Sequence, residues 1–160
     1  MYEKIIQLAQ DNQITELDFY NQNLKRTQIR EIADLIKNNT SLQTINLGSN
    51  NLNDEDIIII AESIQQNNSL RELLLKGNRI GKKGAYALAK AIKNHQDIES
   101  IDLSWNTIRD MGGLAIFKAT KFAKNLKYFN IDWNNIKNKR KLKQLINQQI
   151  EENIKQNNIK

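Results

Sequence analysis

The stretch that decides the fold is Leu70–Ile92, LRELLLKGNRIGKKGAYALAKAI. Its first half mixes leucines with polar residues, which predicts a short strand, and Gly84, Leu88 and Ile92 then fall four apart, on one face of a helix. The underlying pattern, LxxLxLxxNxI, begins five times at intervals of 28 residues, and we number these repeats one to five. The starting positions are Ile14, Leu42, Leu70, Ile98 and Leu126. A constant period of this length predicts a solenoid, in which stacked units cover one another's apolar faces.

The repeat resembles the leucine-rich repeats of the ribonuclease-inhibitor type. The resemblance implies an α/β fold, a right-handed α/β solenoid or horseshoe fragment with a parallel sheet on its concave face and helices on its convex face. Because parallel strands lie about 4.8 Å apart and helices about 10 Å apart, such a stack must bend. We predict a single domain, with a cap helix at 1–13, five repeats at 14–137 and a second cap helix at 138–160, of which residues 153–160 are frayed.

Two columns of polar residues recur at equivalent places in the repeats. Side-chain amides both donate and accept hydrogen bonds, so stacked amides can satisfy backbone groups of neighbouring coils where the chain leaves the strand. The first column is Asn50, Asn78, Asn106 and Asn134, and we predict that its role is structural. In the second column, His95 shares with Asn39 and Asn67 a position at a predicted helix end. This placement favours a capping role for His95 over catalysis.

The composition limits the possible chemistry. The chain has 160 residues, one histidine and no cysteine, which excludes disulfides, thiolate metal sites and pairs of histidine ligands. We therefore expect no catalytic residue, no metal and no cofactor. The first ten residues carry charges at Glu3 and Lys4 and contain no long apolar run, so we expect no signal peptide and a cytoplasmic location. No stretch approaches the ~20 apolar residues of a membrane span, so we expect no membrane association.

The charge is unevenly distributed along the chain. Residues 1–80 carry 8 basic and 11 acidic residues, whereas residues 81–160 carry 16 basic and 7 acidic ones, and the net charge is +6. A basic half can bind nucleic acid or an acidic partner by releasing counter-ions, although a solvated helix surface is the commoner explanation. Nucleic acid is disfavoured because the aromatic residues are not interleaved with the lysines. Opposite charges on the two halves also permit head-to-tail self-association.

Both tryptophans, Trp105 and Trp133, occupy the same register in adjacent repeats. They should lie side by side at the rim of the concave face, where aromatic side chains near carboxylates are typical of a protein-binding hot spot that suits a partner with arginine or lysine. The alternative is that the tryptophans only pack on each other and on the turn. The predicted contact surface is Leu74, Lys76, Asp102, Ser104, Trp105, Tyr128, Asn130, Asp132 and Trp133.

These observations predict a non-catalytic protein–protein interaction module or scaffold subunit. In size and repeat type the chain is similar to the C-terminal domain of tropomodulin-like actin-capping proteins. That resemblance keeps open a subunit of a cytoskeletal or ciliary assembly, with actin capping as one form. Binding through the basic half is the alternative of another class, and salt distinguishes the two, since contacts made by lysines weaken steeply with ionic strength.

Overall fold

The computed structural model describes residues 2–11 and 14–158. Within these ranges, helices alternate with strands of three residues. The elements are α1 (Tyr2–Gln10), β1 (Glu16–Asp18), α2 (Arg26–Asn38), β2 (Thr44–Asn46), α3 (Asp54–Ile64), β3 (Glu72–Leu74), α4 (Lys82–Asn94), β4 (Ser100–Asp102), α5 (Arg109–Thr120), β5 (Tyr128–Asn130) and α6 (Lys139–Asn157). Residues 1, 12, 13, 159 and 160, which belong to the predicted caps, lie outside the described residues, and the predicted domain boundaries stay predictions.

The strands form one parallel sheet in the order β1-β2-β3-β4-β5. Each pairing joins residues one full repeat apart, so that Leu17 lies beside Ile45 and Leu73 beside Ile101. The prediction that the five repeats place their strands side by side and parallel is therefore confirmed. As a consequence, residues that share a column in the sequence are neighbours in space.

The core lies between the sheet and the helices. The central residue of each strand points inward, and Leu17, Ile45, Leu73 and Ile101 are fully buried. The helices add an apolar stripe at the expected spacing, as in α2, which buries Ile29, Ile32, Ala33, Leu35 and Ile36. Burying one such aliphatic side chain stabilises the fold by about 1.5–3 kcal/mol, and each stripe is covered only when the next repeat packs against it.

Close contact between α4 and α5 depends on Gly112. A Cβ atom at this position would lie 2.7 Å from Cγ2 of Ile108 and 2.9 Å from Cβ of Ala85. Side chains do not tolerate such distances, so glycine is what allows these two helices to approach each other.

The first asparagine column forms the predicted ladder. The Oδ1 atom of Asn78 accepts hydrogen bonds from the backbone N–H groups of Asn50 (3.1 Å) and Leu52 (2.9 Å), in the preceding repeat. Its Nδ2 atom donates to the carbonyl oxygens of Leu47 and Leu75, both at 3.0 Å. The other asparagines of the column bond in the same manner. Their structural role is confirmed.

A second ladder runs along the ends of the helices. The Oδ1 atom of Asn67 accepts from the backbone N–H groups of Ser69 (2.9 Å) and Leu70 (2.7 Å). Its Nδ2 atom donates to the carbonyl oxygens of Ile36 (2.7 Å) and Asn39 (2.8 Å), so it ties repeat two to repeat one. The side chain thus satisfies backbone groups that the end of the helix leaves open.

His95 continues this second ladder in repeat three, with a defect. Its side chain is buried, and Nδ1 accepts a hydrogen bond from the backbone N–H of Asp97 at 3.3 Å. Its Nε2 atom is buried without a hydrogen-bond partner in the described part of the chain. Burial lowers the pKa of His95 below its ordinary 6.5, and the nearby carboxylate of Asp97 opposes that shift. The predicted capping role is confirmed, but the imidazole makes fewer bonds than the asparagine it replaces.

The last repeat is covered by α6. The predicted fraying from residue 153 is wrong for the described residues, because the helix continues to Asn157. Asn153 is buried, and its Nδ2 atom donates to the carbonyl oxygen of Ala123 at 3.0 Å. The Nδ2 atom of Asn67 makes the same bond to the carbonyl oxygen of Asn39, and Ala123 follows Asn39, Asn67 and His95 in that column, so α6 supplies the amide of the next position in the ladder. At 19 residues α6 is the longest described helix, and none of the described helices is long and apolar enough to cross a membrane.

Candidate functional site

The turns at the ends of the strands shape the rim of the concave face. The Oδ1 atom of Asp102 accepts a hydrogen bond from the backbone N–H of Ser104 at 2.8 Å, and Oδ1 of Asn130 accepts from that of Asp132 at 3.1 Å. Repeats one and two make the equivalent bond, whereas repeat three has Leu74 at this position. Asp102 and Asn130, predicted to contact a partner, therefore also hold the turns from which the tryptophans project.

Both tryptophans have a backbone conformation that is rare for bulky residues. The φ angles are 57° at Trp105 and 60° at Trp133, in the left-handed region. The same column also holds Asn21, Ser49 and Gly77, all with positive φ, so the repeat itself imposes this conformation. It costs on the order of 1–3 kcal/mol for a residue other than glycine and is a clear outlier for a bulky one. The two tryptophans, which are the largest side chains of the column, thus occupy a backbone conformation that favours glycine.

The two indole rings stack on each other. The interplanar angle is 19° and the centroids lie 4.8 Å apart. This distance matches the spacing of parallel strands. Each ring nevertheless remains open to solvent, with Trp105 53% and Trp133 60% exposed. The predicted adjacency is confirmed, and the rings both pack on each other and present a surface, with the half-exposed Tyr128 on the last strand.

Two lysines from the first turns of α6 complete this rim. Lys139 places its Nζ atom 5.2 Å from the ring centroid of Trp133, within the range of a cation–π contact. Lys143 places its Nζ atom 2.6 Å from Oδ2 of Asp132. Trp133 therefore lies between Trp105 and a cation, and the carboxylate of Asp132 already has a basic partner.

The family follows from the repeats. Three consecutive stretches, 38–61, 66–89 and 94–117, match the family described as "Leucine Rich repeat". These matches fall on the repeats whose strands form the parallel sheet with its one-repeat register. This chain is a leucine-rich repeat protein. The ribonuclease-inhibitor type of its repeats stays a prediction from their length.

Two solved structures share the fold of this leucine-rich repeat protein along almost its entire length. The first, "Leiomodin-1 Actin-Binding Site 2 (ABS2)", has a TM-score of 0.86 at 15% sequence identity. The superposition covers 99% of this chain and 92% of the leiomodin chain. The second, the tropomodulin C-terminal domain from Caenorhabditis elegans, has a TM-score of 0.85 at 15% sequence identity. Here the superposition covers 99% of this chain and 96% of the tropomodulin chain. At this identity the likeness shows the fold alone. No curated protein matches the sequence.

Most of the predicted contact residues of this leucine-rich repeat protein lie on the concave side of its C-terminal repeats. Lys76 is exposed, like Tyr128 and the tryptophans. The partly buried members are Leu74, Asp102, Asn130 and Asp132.

Ser104 requires a correction, because only 2% of it is exposed and its side chain is not available to a partner. Gly48, in the same column, is buried as well, whereas the long side chain of Lys76 is exposed. The column lies close to the backbone of the turn, so a short side chain is covered there and a long one extends past it.

Sequence reasoning missed the contribution of α6. Lys139 and Lys143 are four residues apart, which places them on one face of a helix, and this spacing was the available signal. Nothing in the repeat pattern indicates that this face meets the tryptophan rim, because α6 lies outside the repeats. The left-handed backbone had a clearer signal, since asparagine, serine and glycine fill the other positions of the tryptophan column.

Proposed function

We propose that this leucine-rich repeat protein is a non-catalytic protein-interaction module whose partner contacts the stacked tryptophans at the C-terminal end of the concave face. The observation that carries this proposal is that Trp105 and Trp133 combine a strained backbone with more than half of their surface in solvent. Exposed rings recover little of that strain through burial. Strain that does not serve stability is typical of binding sites, and tryptophan is enriched at the energetic centres of interfaces.

The surrounding fold suits such a role. The tryptophan turns are fixed by side-chain hydrogen bonds at their start and by the asparagine ladder directly after them. A surface held in place before binding loses little conformational entropy on association. Asp132 is paired with Lys143, so a basic group of a partner would displace that lysine or approach Asp102.

Other features support a binding role without catalysis. The one histidine is buried at a helix end, and the described residues contain no group of three or more His, Cys, Asp or Glu side chains that could hold a metal ion. The tryptophan rim is open to solvent, which does not favour the shifted pKa values that acid–base catalysis requires.

The experiment is affinity purification from the native cell with the wild type and with the double variant Trp105→Ala, Trp133→Ala, followed by mass spectrometry. We expect the variant to lose one or more specific partners while its melting temperature stays close to that of the wild type. Tyr20→Ala is the matched control, because this exposed aromatic residue lies on the concave side at the opposite end of the sheet. Unchanged recovery of every partner, or a large loss of stability in the variant, would contradict the proposal.

Actin is the second candidate partner, with a cytoskeletal location in the cytoplasm. The specific observation is that both structural matches extend over 99% of the chain, so they include the helices at its ends as well as the repeats. Co-sedimentation with filamentous actin tests binding, and elongation of pyrene-labelled actin tests capping. Absence of the protein from the actin pellet at micromolar concentrations, together with unchanged elongation, would exclude this candidate.

A further inference from the structure

The stack of planar groups at the rim has one open end. Trp133 has Trp105 on one face and the ammonium of Lys139 on the other side. Trp105 has a ring against one face, and its opposite face points along the solenoid towards repeat three. There the tryptophan column continues with Gly77, which has no side chain to cover that face.

Ser49 bounds the place of the missing side chain on one side. If a Cβ atom were added to Gly77, its three nearest atoms would all belong to Ser49, with Oγ at 3.0 Å and the backbone N and Cα at 3.7 and 3.8 Å. Ser49 belongs to the repeat on the other side of Gly77, away from Trp105. Two strand spacings, about 9.6 Å, separate the backbones of Ser49 and Trp105. Aromatic rings stack with centroids about 4.5–7 Å apart, so one ring fits in the slot between them.

Two exposed cations lie close to Gly77 in the chain. Lys76 directly precedes Gly77, Arg79 follows it by two residues, and both are exposed. The ion pairs of the described residues involve neither of them. In the neighbouring turn, one carboxylate oxygen of Asp102 accepts a hydrogen bond from the backbone N–H of Ser104. A ligand with carboxylates next to its ring would therefore meet a favourable field.

We propose that the partner inserts one aromatic side chain, flanked by acidic residues, over Gly77 and against the open face of Trp105. This inference rests on the proposed function and specifies its ligand chemistry. The inserted ring becomes the third member of the stack, at the point where the column has no side chain. A protein ligand fits better than single-stranded nucleic acid, because the slot admits one ring, whereas nucleic-acid platforms present a series of stacking residues along a basic groove.

The first test fills the slot from within. Gly77→Trp adds an indole at a position where the fold already accepts tryptophan at φ near 60°, in the two following repeats. Gly77→Ser is the matched control, since Ser49 is native to this column with φ 56°. The probe is the capped peptide acetyl-Glu-Phe-Asp-amide, titrated to millimolar concentration against ¹⁵N-labelled protein. In the wild type and in Gly77→Ser we expect ring-current shifts at the amide of residue 77 and the indole N–H of Trp105, and in Gly77→Trp about tenfold weaker binding.

The second test separates the ring from the charges and does not depend on the folding of Gly77→Trp. Acetyl-Glu-Leu-Asp-amide and acetyl-Lys-Phe-Lys-amide should each bind the wild type several-fold more weakly than the parent peptide. The double variant Lys76→Gln, Arg79→Gln should remove the advantage of the acidic flanks. Trp105→Ala should abolish the shifts at residue 77.

Several outcomes would overturn the inference. Equal binding of the three peptides, shifts centred on Trp133 or on the convex helices, or equal affinity in Gly77→Trp and Gly77→Ser would each do so. A short oligothymidine that produces the same shifts at lower concentration than the peptide would assign the slot to nucleic acid instead. If Gly77→Trp still captures a partner that the Trp105→Ala, Trp133→Ala variant loses, the proposed function stands and the slot does not.

Discussion

Replacing His95 by asparagine should stabilise the protein, because it repairs the defect in the second ladder. In repeat two, Asn67 donates from Nδ2 to two carbonyl oxygens and accepts at Oδ1 from two backbone N–H groups. His95 occupies the equivalent position but accepts one such bond, at 3.3 Å, and its Nε2 atom has no partner among the described residues. Since Nδ1 acts as the acceptor, the neutral ring carries its proton on the unpartnered Nε2.

The size of the effect follows from these bonds. A buried donor without a partner costs about 1–3 kcal/mol, and each hydrogen bond formed in its place contributes about 0.5–1.5 kcal/mol. By register, the amide of the new asparagine would reach the carbonyl oxygens of Ile64 and Asn67. We expect His95→Asn to raise the free energy of unfolding by about 1–3 kcal/mol. A gain of about 2 kcal/mol corresponds to a rise in melting temperature of roughly 4–8 °C for a chain of this size.

The substitution should also remove a pH dependence. The pKa of His95 is lowered in the folded state, mainly by burial, while the unfolded chain titrates near 6.5. The unfolded state therefore binds more protons between these two values. The contribution of this site to the free energy of unfolding is largest above about pH 6.5. It decreases as the pH drops towards the lower pKa of the folded state, by up to about 1.4 kcal/mol per pH unit. His95→Asn should flatten this part of the profile.

Urea unfolding between pH 5 and pH 8, followed by circular dichroism, measures both effects. Asn67→His is the matched control, because it introduces the same defect one repeat earlier and should lower the stability while adding an acid-sensitive step. The reasoning is refuted if His95→Asn is less stable than the wild type, if its profile keeps the wild-type slope below pH 6.5, or if Asn67→His is neutral.

Three further substitutions test the packing and the rim by urea unfolding. Gly112→Ala should cost about 1–3 kcal/mol, because its Cβ atom would lie within 3 Å of Ile108 and Ala85, whereas Lys118→Ala on the exposed face of the same helix should be nearly neutral. Asn78→Ala should cost on the order of 2–4 kcal/mol, since it leaves buried groups of two repeats without partners, and a loss below 1 kcal/mol would contradict a structural ladder. Lys143→Ala should change stability by less than about 1 kcal/mol, because its ion pair with Asp132 is partly solvated, and a larger loss would mean that α6 depends on this contact.

The architecture could be predicted because one numerical regularity determines it. Starting positions 28 residues apart place Leu17 beside Ile45 and Trp105 beside Trp133 without any knowledge of a relative. Features that depend on the detailed shape of the turn were harder to predict from the sequence. The alternation of inward and outward residues ends with the strand at Asp102, so it gave no guide to the burial of Ser104 two residues later.

Contacts made from outside the repeats were not predictable either. The approach of Lys139 to Trp133 depends on how α6 crosses the last repeat, which no column of the sequence encodes. The amide that Asn153 contributes to the second ladder is another such contact, because Asn153 lies two residues beyond the column position, which Glu151 occupies. The role of the tryptophans and the chemistry of their partner are predictions that rest on strain and exposure.

The constant register also limits how a disturbance can travel. Hydrogen bonds from side chains to other repeats join residues 26 to 33 positions apart. Among the described residues, each repeat is therefore bonded in this way to its immediate neighbours alone. Such a chain behaves like a row of coupled segments, and loosening at the acidic end need not reach the basic end. A molecule that clamps the tryptophans would instead reinforce the two coils next to α6, and amide hydrogen exchange should show that protection fading with each repeat towards the amino terminus.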